Sequence, residues 1–163
     1  MLSIQISDIK DFMSHLLSKD TFDHFYFIEA SIKMGVSYQI QGRINEGFYD
    51  TSVEQTLNRE FCYWKEIRHR IFDIIKGKRL PLSCKIVLGL SKQSISYLIA
   101  HNNSSFREED IEGIYVNILY DPKNLLITTG ISYKNFSLDK SLEYAFDEYL
   151  VKFLKEKGVA FFE

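Results

Sequence analysis

Between Tyr63 and Pro81 the chain reads YWKEIRHRIFDIIKGKRLP. Lys65, Arg68, His69, Lys76, Lys78 and Arg79 fall in this stretch, beside the only Trp of the chain. Cations gathered this closely can neutralise a phosphate or carboxylate, singly or along a nucleic-acid backbone. On a helical wheel with Trp64 at zero, Lys65, His69 and Lys76 share one flank and Arg70 takes the other. Lys78 and Arg79 follow the expected helix end, where positive charge also complements the terminal carbonyls. Two readings stand: a solvated basic side with dipole compensation, or an anion or nucleic-acid site built from Lys65, Arg68, His69, Lys76, Lys78 and Arg79. Arg68 is the odd member, because it falls inside the apolar arc of Phe61, Trp64, Ile67, Ile71, Ile74 and Ile75. An unpaired guanidinium there would be costly, so either its stem packs while its head reaches water or it pairs with a carboxylate. An internal pairing is expected, with a ligand carboxylate or phosphate as the alternative. Trp64, in the same arc, is expected in the core.

Other chemistry is sparse. His15, His24, His69 and His101 are scattered, with no pair at metal-ligand spacing. His15 and His101 are expected to close their helices. Cys62 and Cys84 form no C-x-x-C and read as buried free thiols. The acidic run FREEDIE lacks the ligand order and glycine of a calcium loop and reads as a solvated turn. No glycine-rich phosphate loop follows a strand. No cofactor and no metal are therefore expected. The formal net charge of −2 does not draw the whole molecule to nucleic acid or anionic lipid. The start of the chain has no signal-peptide pattern and no apolar stretch approaches a membrane span. The expectation is a cytoplasmic protein with no membrane partner, bound to protein, as a homo-oligomer, or to nucleic acid.

The elements that position these residues follow from periodicity. LSIQIS alternates as a short strand, and Ser7 can cap a helix to about Ser18 with Ile9, Phe12, Met13, Leu16 and Leu17 inward. FYFIEASIKM and VSYQIQGRI make a hairpin about Gly35, with Ile28, Ala30 and Ile32 on one side and Val36, Tyr38 and Ile40 on one face of the other strand. A polar loop, NEGFYDTSVEQT, leads into the basic helix, which Gly77 and Pro81 end. SCKIVLGL is a strand, SKQSISYLIAHN a helix, GIYVNILYD and LLITTGISY a second hairpin. SLDKSLEYAFDEYLVKFLKEKG is the strongest helix, with an apolar stripe from Leu138 to Leu154, and VAFFE is a final strand.

The order is β-α-β-β-α twice, then β, within one α+β domain spanning 1–163. Ile9, Phe12 and Met13 map onto Ile95, Leu98 and Ile99 with an offset of 86, and Ile28, Ala30 and Ile32 onto Ile114, Val116 and Ile118 with the same offset. Ile67, Ile71, Ile74 and Ile75 map onto Phe146, Leu150, Phe153 and Leu154 with an offset of 79. The expectation is an internal duplication, approximately 1–80 and 83–163, packed about a pseudo-twofold axis with helices on one face of the sheets. This arrangement resembles one domain of a DNA sliding clamp in element order alone, which transfers no function. The chain also resembles a family of roughly 160-residue bacterial domains of unknown function from Gram-positive organisms. SDIKDFMSHLLSKDTFDHF, YWKEIRHRIFDIIKGKRLPLSCKIV and FSLDKSLEYAFDEYLVKFL carry that resemblance, which implies no site. The reading that follows is a non-enzymatic binding or assembly module. The alternatives are a clamp-like nucleic-acid protein using the basic flank, or an enzyme with a site between the halves.

Overall fold

The computed structural model describes residues 1–49 and 58–162; most of the polar loop expected after the first hairpin lies outside them. The elements are β1 (Ser3–Gln5), α1 (Ile9–Leu17), β2 (Tyr26–Lys33), β3 (Ser37–Gln41), α2 (Trp64–Ile75), β4 (Ser83–Gly89), α3 (Lys92–His101), β5 (Ile111–Tyr120), β6 (Leu125–Tyr133) and α4 (Ser141–Glu156). Short 3₁₀ turns lie at Glu46–Phe48 and Glu108–Asp110. The described strands form one six-stranded antiparallel sheet in the order β1-β6-β5-β4-β2-β3. The mixed α+β class expected from periodicity is the one observed.

Register explains the two-layer build. Ile40, Ala30, Ile86, Ile118, Ile127 and Ile4 pair in one row across all six strands. The adjoining row, one residue along each strand, is Gln39, Ser31, Lys85, Leu119, Leu126 and Gln5. Successive strand residues point to opposite faces, so one face is apolar and the other mostly polar. The apolar face joins Phe12 and Leu16 of α1, Trp64 and Ile71 of α2, Leu98 of α3, and Leu142, Phe146, Leu150 and Leu154 of α4 in one core cluster.

Several sequence expectations shift. The two halves share their element order but not their pairing. β4 bonds directly to β5, whereas β1 lies across the sheet from β2, beside β6. β4, buried from Ile86 to Gly89, takes an interior position, while the three-residue β1 caps an edge. A register shift between Phe27 and Glu29 puts Phe27, not Ile28, in the core. β3 is the other edge and Tyr38 on it is exposed, while Val36 falls in the turn before it and is exposed too. Phe61 is not helical: residues 61–63 run extended, bridged to Arg43 and Tyr26, and α2 starts at Trp64. α4 starts at Ser141 because Asp139 accepts hydrogen bonds from Ser141 N–H (2.9 Å) and Ser105 Oγ (2.8 Å), which leaves Leu138 outside the stripe and exposed. His15 lies in the last turn of α1, as expected, but is buried there, its Nδ1 2.8 Å from Thr21 Oγ1. His101 does end α3, stacked on Tyr97 at 3.8 Å. The final segment contributes a single bridge, Ile6 to Phe161, instead of a strand.

Candidate functional site

Arg68 has its partner inside the chain. Its Nε lies 2.7 Å from Asp23 Oδ1 and its Nη2 3.1 Å from Asp23 Oδ2, a fork-to-carboxylate pair. Asp23 comes from the turn between α1 and β2, which packs on the inner flank of α2. The hydrogen bond to Asp23 raises the Arg68 pKa further. The guanidinium is thus committed to structure. Trp64 is fully buried, donates from Nε1 to Leu16 O at 2.7 Å, and packs on Phe27 with ring centroids 5.6 Å apart.

The remaining cations do not form one cluster. A wheel removes distance along the axis, and Lys65 and Lys76 stand about 16 Å apart at the usual rise per residue. Lys76 is paired with Asp73 at 3.0 Å. His69 is exposed at mid-helix, and Lys78 and Arg79 lie in the exposed segment beyond the helix. Lys65 alone belongs to a different neighbourhood, at the start of α2.

That neighbourhood is a cleft of about 380 Å³ between the N-terminal ends of α2 and α3, lined by residues that include Tyr26, Arg59, Tyr63, Lys65, Ser91 and Lys92. Its geometry follows from local chemistry. Glu66, in the first turn of α2, reaches back to accept from Tyr63 N–H at 2.7 Å, a capping interaction that fixes the helix start. The same carboxylate holds the Arg59 guanidinium through two bonds of 2.9 and 2.7 Å. Arg59 lies over the Tyr63 ring at 4.5 Å, and Lys65 Nζ is 5.6 Å from that ring. Tyr63 packs on Tyr26 at 5.3 Å. Ser91 caps α3 by accepting from Ser94 N–H at 3.3 Å. Lys92 follows it and lines the cleft together with Tyr26.

Charge in the cleft is uneven. Arg59 and Glu66 neutralise each other. Lys65 and Lys92 have no carboxylate partner among the described residues. Burial works to raise the Glu66 pKa, but the bonds from Arg59 and from Tyr63 N–H outweigh it, and the carboxyl stays below its ordinary value. Burial raises the Tyr26 phenol, so it stays protonated at neutral pH. Arg59 also lines a neighbouring cleft of about 620 Å³, whose walls include the Arg43–Glu60 ion pair and Asn45.

Of the residues singled out from sequence, this site keeps Lys65. Tyr26, Arg59, Tyr63, Ser91 and Lys92 were not legible as one group, because 65 residues separate Tyr26 from Ser91 and the bulged start of β2 brings them together. The one local signal was Ser-Lys-Gln directly after an apolar strand. Elsewhere, no grouping of His, Cys, Asp and Glu among the described residues suits a metal ion. In the acidic turn, Asp110 accepts from Arg107 N–H and Glu109 pairs with Arg107. Cys84 is buried, which pushes its thiol up to about 12, and Cys62 is half-buried and also raised by burial.

Comparison with known proteins places the chain in a family. Residues 15–162 match the model of DUF5721, a family of unknown function, and the chain belongs to it. No curated protein and no solved structure matches.

Proposed function

We propose that this member of a family of unknown function is a binding module that takes a small anion, a phosphate or carboxylate group, in the cleft at the start of α2 and α3. The observation that carries the reading is the convergence of Lys65 and Lys92, both without a carboxylate partner among the described residues, on one concave site. Arg59 and Tyr63 form its wall, locked in place by Glu66, so an incoming anion meets an ordered surface. Binding rather than catalysis is supported by the titratable groups. Among the described residues, the resolved shifts of the tyrosines and thiols run upward and those of the carboxyls downward, away from neutrality, whereas acid–base catalysis draws pKa values toward the working pH.

A clamp-like nucleic-acid role finds less support. The outer faces of the helices mix Asp11, Asp73 and Glu148 with their lysines, so no continuous basic lining runs across them. Two free thiols fit a reducing, cytoplasmic setting. Among the described residues, no helix is long and apolar enough to cross a membrane.

Thermal denaturation with increasing inorganic phosphate or pyrophosphate tests the cleft. Ligand that binds the folded state alone raises the melting point with its concentration. The parent should show a saturable rise, and Lys65→Gln/Lys92→Gln should lose it while melting normally without anion. A parent unmoved by phosphate, pyrophosphate and citrate, or a double variant that keeps the full rise, overturns the reading.

A further inference from the structure

At the far end of α2 the chain leaves the helix through Gly77, whose φ of +142° turns it sharply toward β4. The segment from 78 to 82 reads Lys-Arg-Leu-Pro-Leu. Pro81 is buried, while Leu80 and Leu82 on either side are 67% and 70% exposed. Proline holds the preceding residue extended, and alternate residues of an extended chain point to the same side. The two leucines therefore share one outward side and Pro81 anchors the segment. Leu82 N–H bonds to Lys33 O at 2.8 Å, tying the segment to the end of β2. The next turn, between β2 and β3, carries Val36, itself 64% exposed.

The charges around these aliphatic groups have one dominant sign. Lys33, Lys76, Lys78, Arg79 and Lys85 are all exposed at this corner of the sheet. Asp73 is the nearby acid on α2, and it is spent on Lys76. Asp121, in the β5–β6 turn, uses its carboxylate to accept from Lys123 and Asn124 N–H.

We propose that this corner, formed by the segment 77–82 and the β2–β3 turn, is a docking surface for an anionic lipid bilayer. Peripheral attachment combines aliphatic side chains that enter the headgroup boundary with basic side chains that meet acidic lipids, and Leu80, Leu82 and Val36 sit among cations in that relation. The same aliphatic groups count against nucleic acid, where phosphate-binding surfaces interleave cations with polar or stacking side chains. A peripheral contact needs no spanning helix. It supplies the local patch that the overall charge of −2 hides.

Cosedimentation of the full chain with phosphatidylcholine vesicles, with and without phosphatidylserine, tests the surface. Binding is expected only with phosphatidylserine, falling as salt rises. Lys78→Gln/Arg79→Gln should lower the partition coefficient roughly 30-fold, from the usual contribution of two basic residues near an acidic surface. Leu80→Ser/Leu82→Ser should weaken it too, and Leu82→Trp should show a blue-shifted emission that brominated lipid quenches. Three results overturn the proposal: no binding to acidic vesicles, binding indifferent to the leucine substitutions, or an unquenched Leu82→Trp. A fourth is duplex DNA shifted by the parent and released by Lys78→Gln/Arg79→Gln, which would assign the cations to nucleic acid instead.

Discussion

The two ends of α2 have similar compositions and opposite circumstances. At the N-terminal end and along the inner flank, each arginine has an assigned carboxylate: Arg59 holds Glu66 and Arg68 holds Asp23. Trp64 is buried between them and the sheet. At the C-terminal end, Lys78 and Arg79 have no partner among the described residues and stand beside exposed leucines. Arginine recurs where a planar fork can meet a carboxylate twice. For Arg68 on one side and Lys78 with Arg79 on the other, a basic stretch in sequence is thus two things in space, a fastened part that supports the fold and a loose part open to solvent.

The largest test of the fastened part is Trp64→Ala. Deleting a fully enclosed indole that also bonds to Leu16 O should cost about 3–5 kcal/mol, read by urea unfolding. A cost below about 1 kcal/mol would place Trp64 outside the core and erase the contrast. Next in size is Arg68→Met. It leaves the Asp23 carboxylate partly buried without its fork, and losing hydrogen bonds to a charged group costs about 1.5–3 kcal/mol. Adding Asp23→Asn to that variant should recover part of the loss, because the orphaned charge is gone. Phosphate should not change the Arg68→Met deficit. If Arg68→Met proved neutral or stabilising, the arginine would be a ligand group and not a strut.

Much of this division was legible beforehand, and the reason is geometric. Arg68 lies on the apolar arc of a regular helix, so its need for a partner follows from angle alone, although the identity of Asp23 does not. Sheet and helix types follow from period, since Ala30 and Ile32 alternate and Leu142, Phe146, Leu150 and Leu154 recur every fourth residue. What the chain conceals is long-range. The cleft needs β2 to bulge at Phe27–Glu29 and residues 61–63 to lie beside it as bridges, and neither leaves a periodic mark. The 86-residue offset reports like element order in both halves but cannot report that β1 pairs with β6, because pairing depends on which edge is free. The wheel grouped Lys65 with Lys76 because it keeps angle and discards rise.

A smaller effect concerns pH at the fastened end. The Glu66 carboxyl sits below its ordinary value of 4.5 despite the opposing effect of burial, since Arg59 and Tyr63 N–H bond to it. A depressed carboxyl binds protons less readily folded than unfolded, so its stabilisation is complete above the unfolded value and is lost as pH falls through the folded one. The pair is well exposed to solvent on the Glu66 side, which limits its worth to about 1 kcal/mol or less. Urea midpoints from pH 6 to pH 3 should therefore fall less steeply in Glu66→Gln than in the parent. Equal slopes would mean that Arg59 and Glu66 are merely adjacent.

The smallest expected effect belongs to the loose end and is the most discriminating. Lys78→Gln/Arg79→Gln should leave stability within about 0.5 kcal/mol, as for surface positions without specific partners. There is a competing account, in which these cations compensate the α2 dipole. That role would cost about 0.3–1 kcal/mol per charge at low ionic strength and fade as salt screens it. Gly77 argues against it, since its φ of +142° carries the following residues off the helix end before either cation occurs, and the dipole interaction decays within the last turn. Urea unfolding of the double variant at 20 mM and 500 mM salt separates the two accounts. Unchanged stability at both concentrations leaves the cations free for an external surface. A deficit at low salt that vanishes at high salt would bind them to the helix, and the two ends of α2 would then differ in degree only.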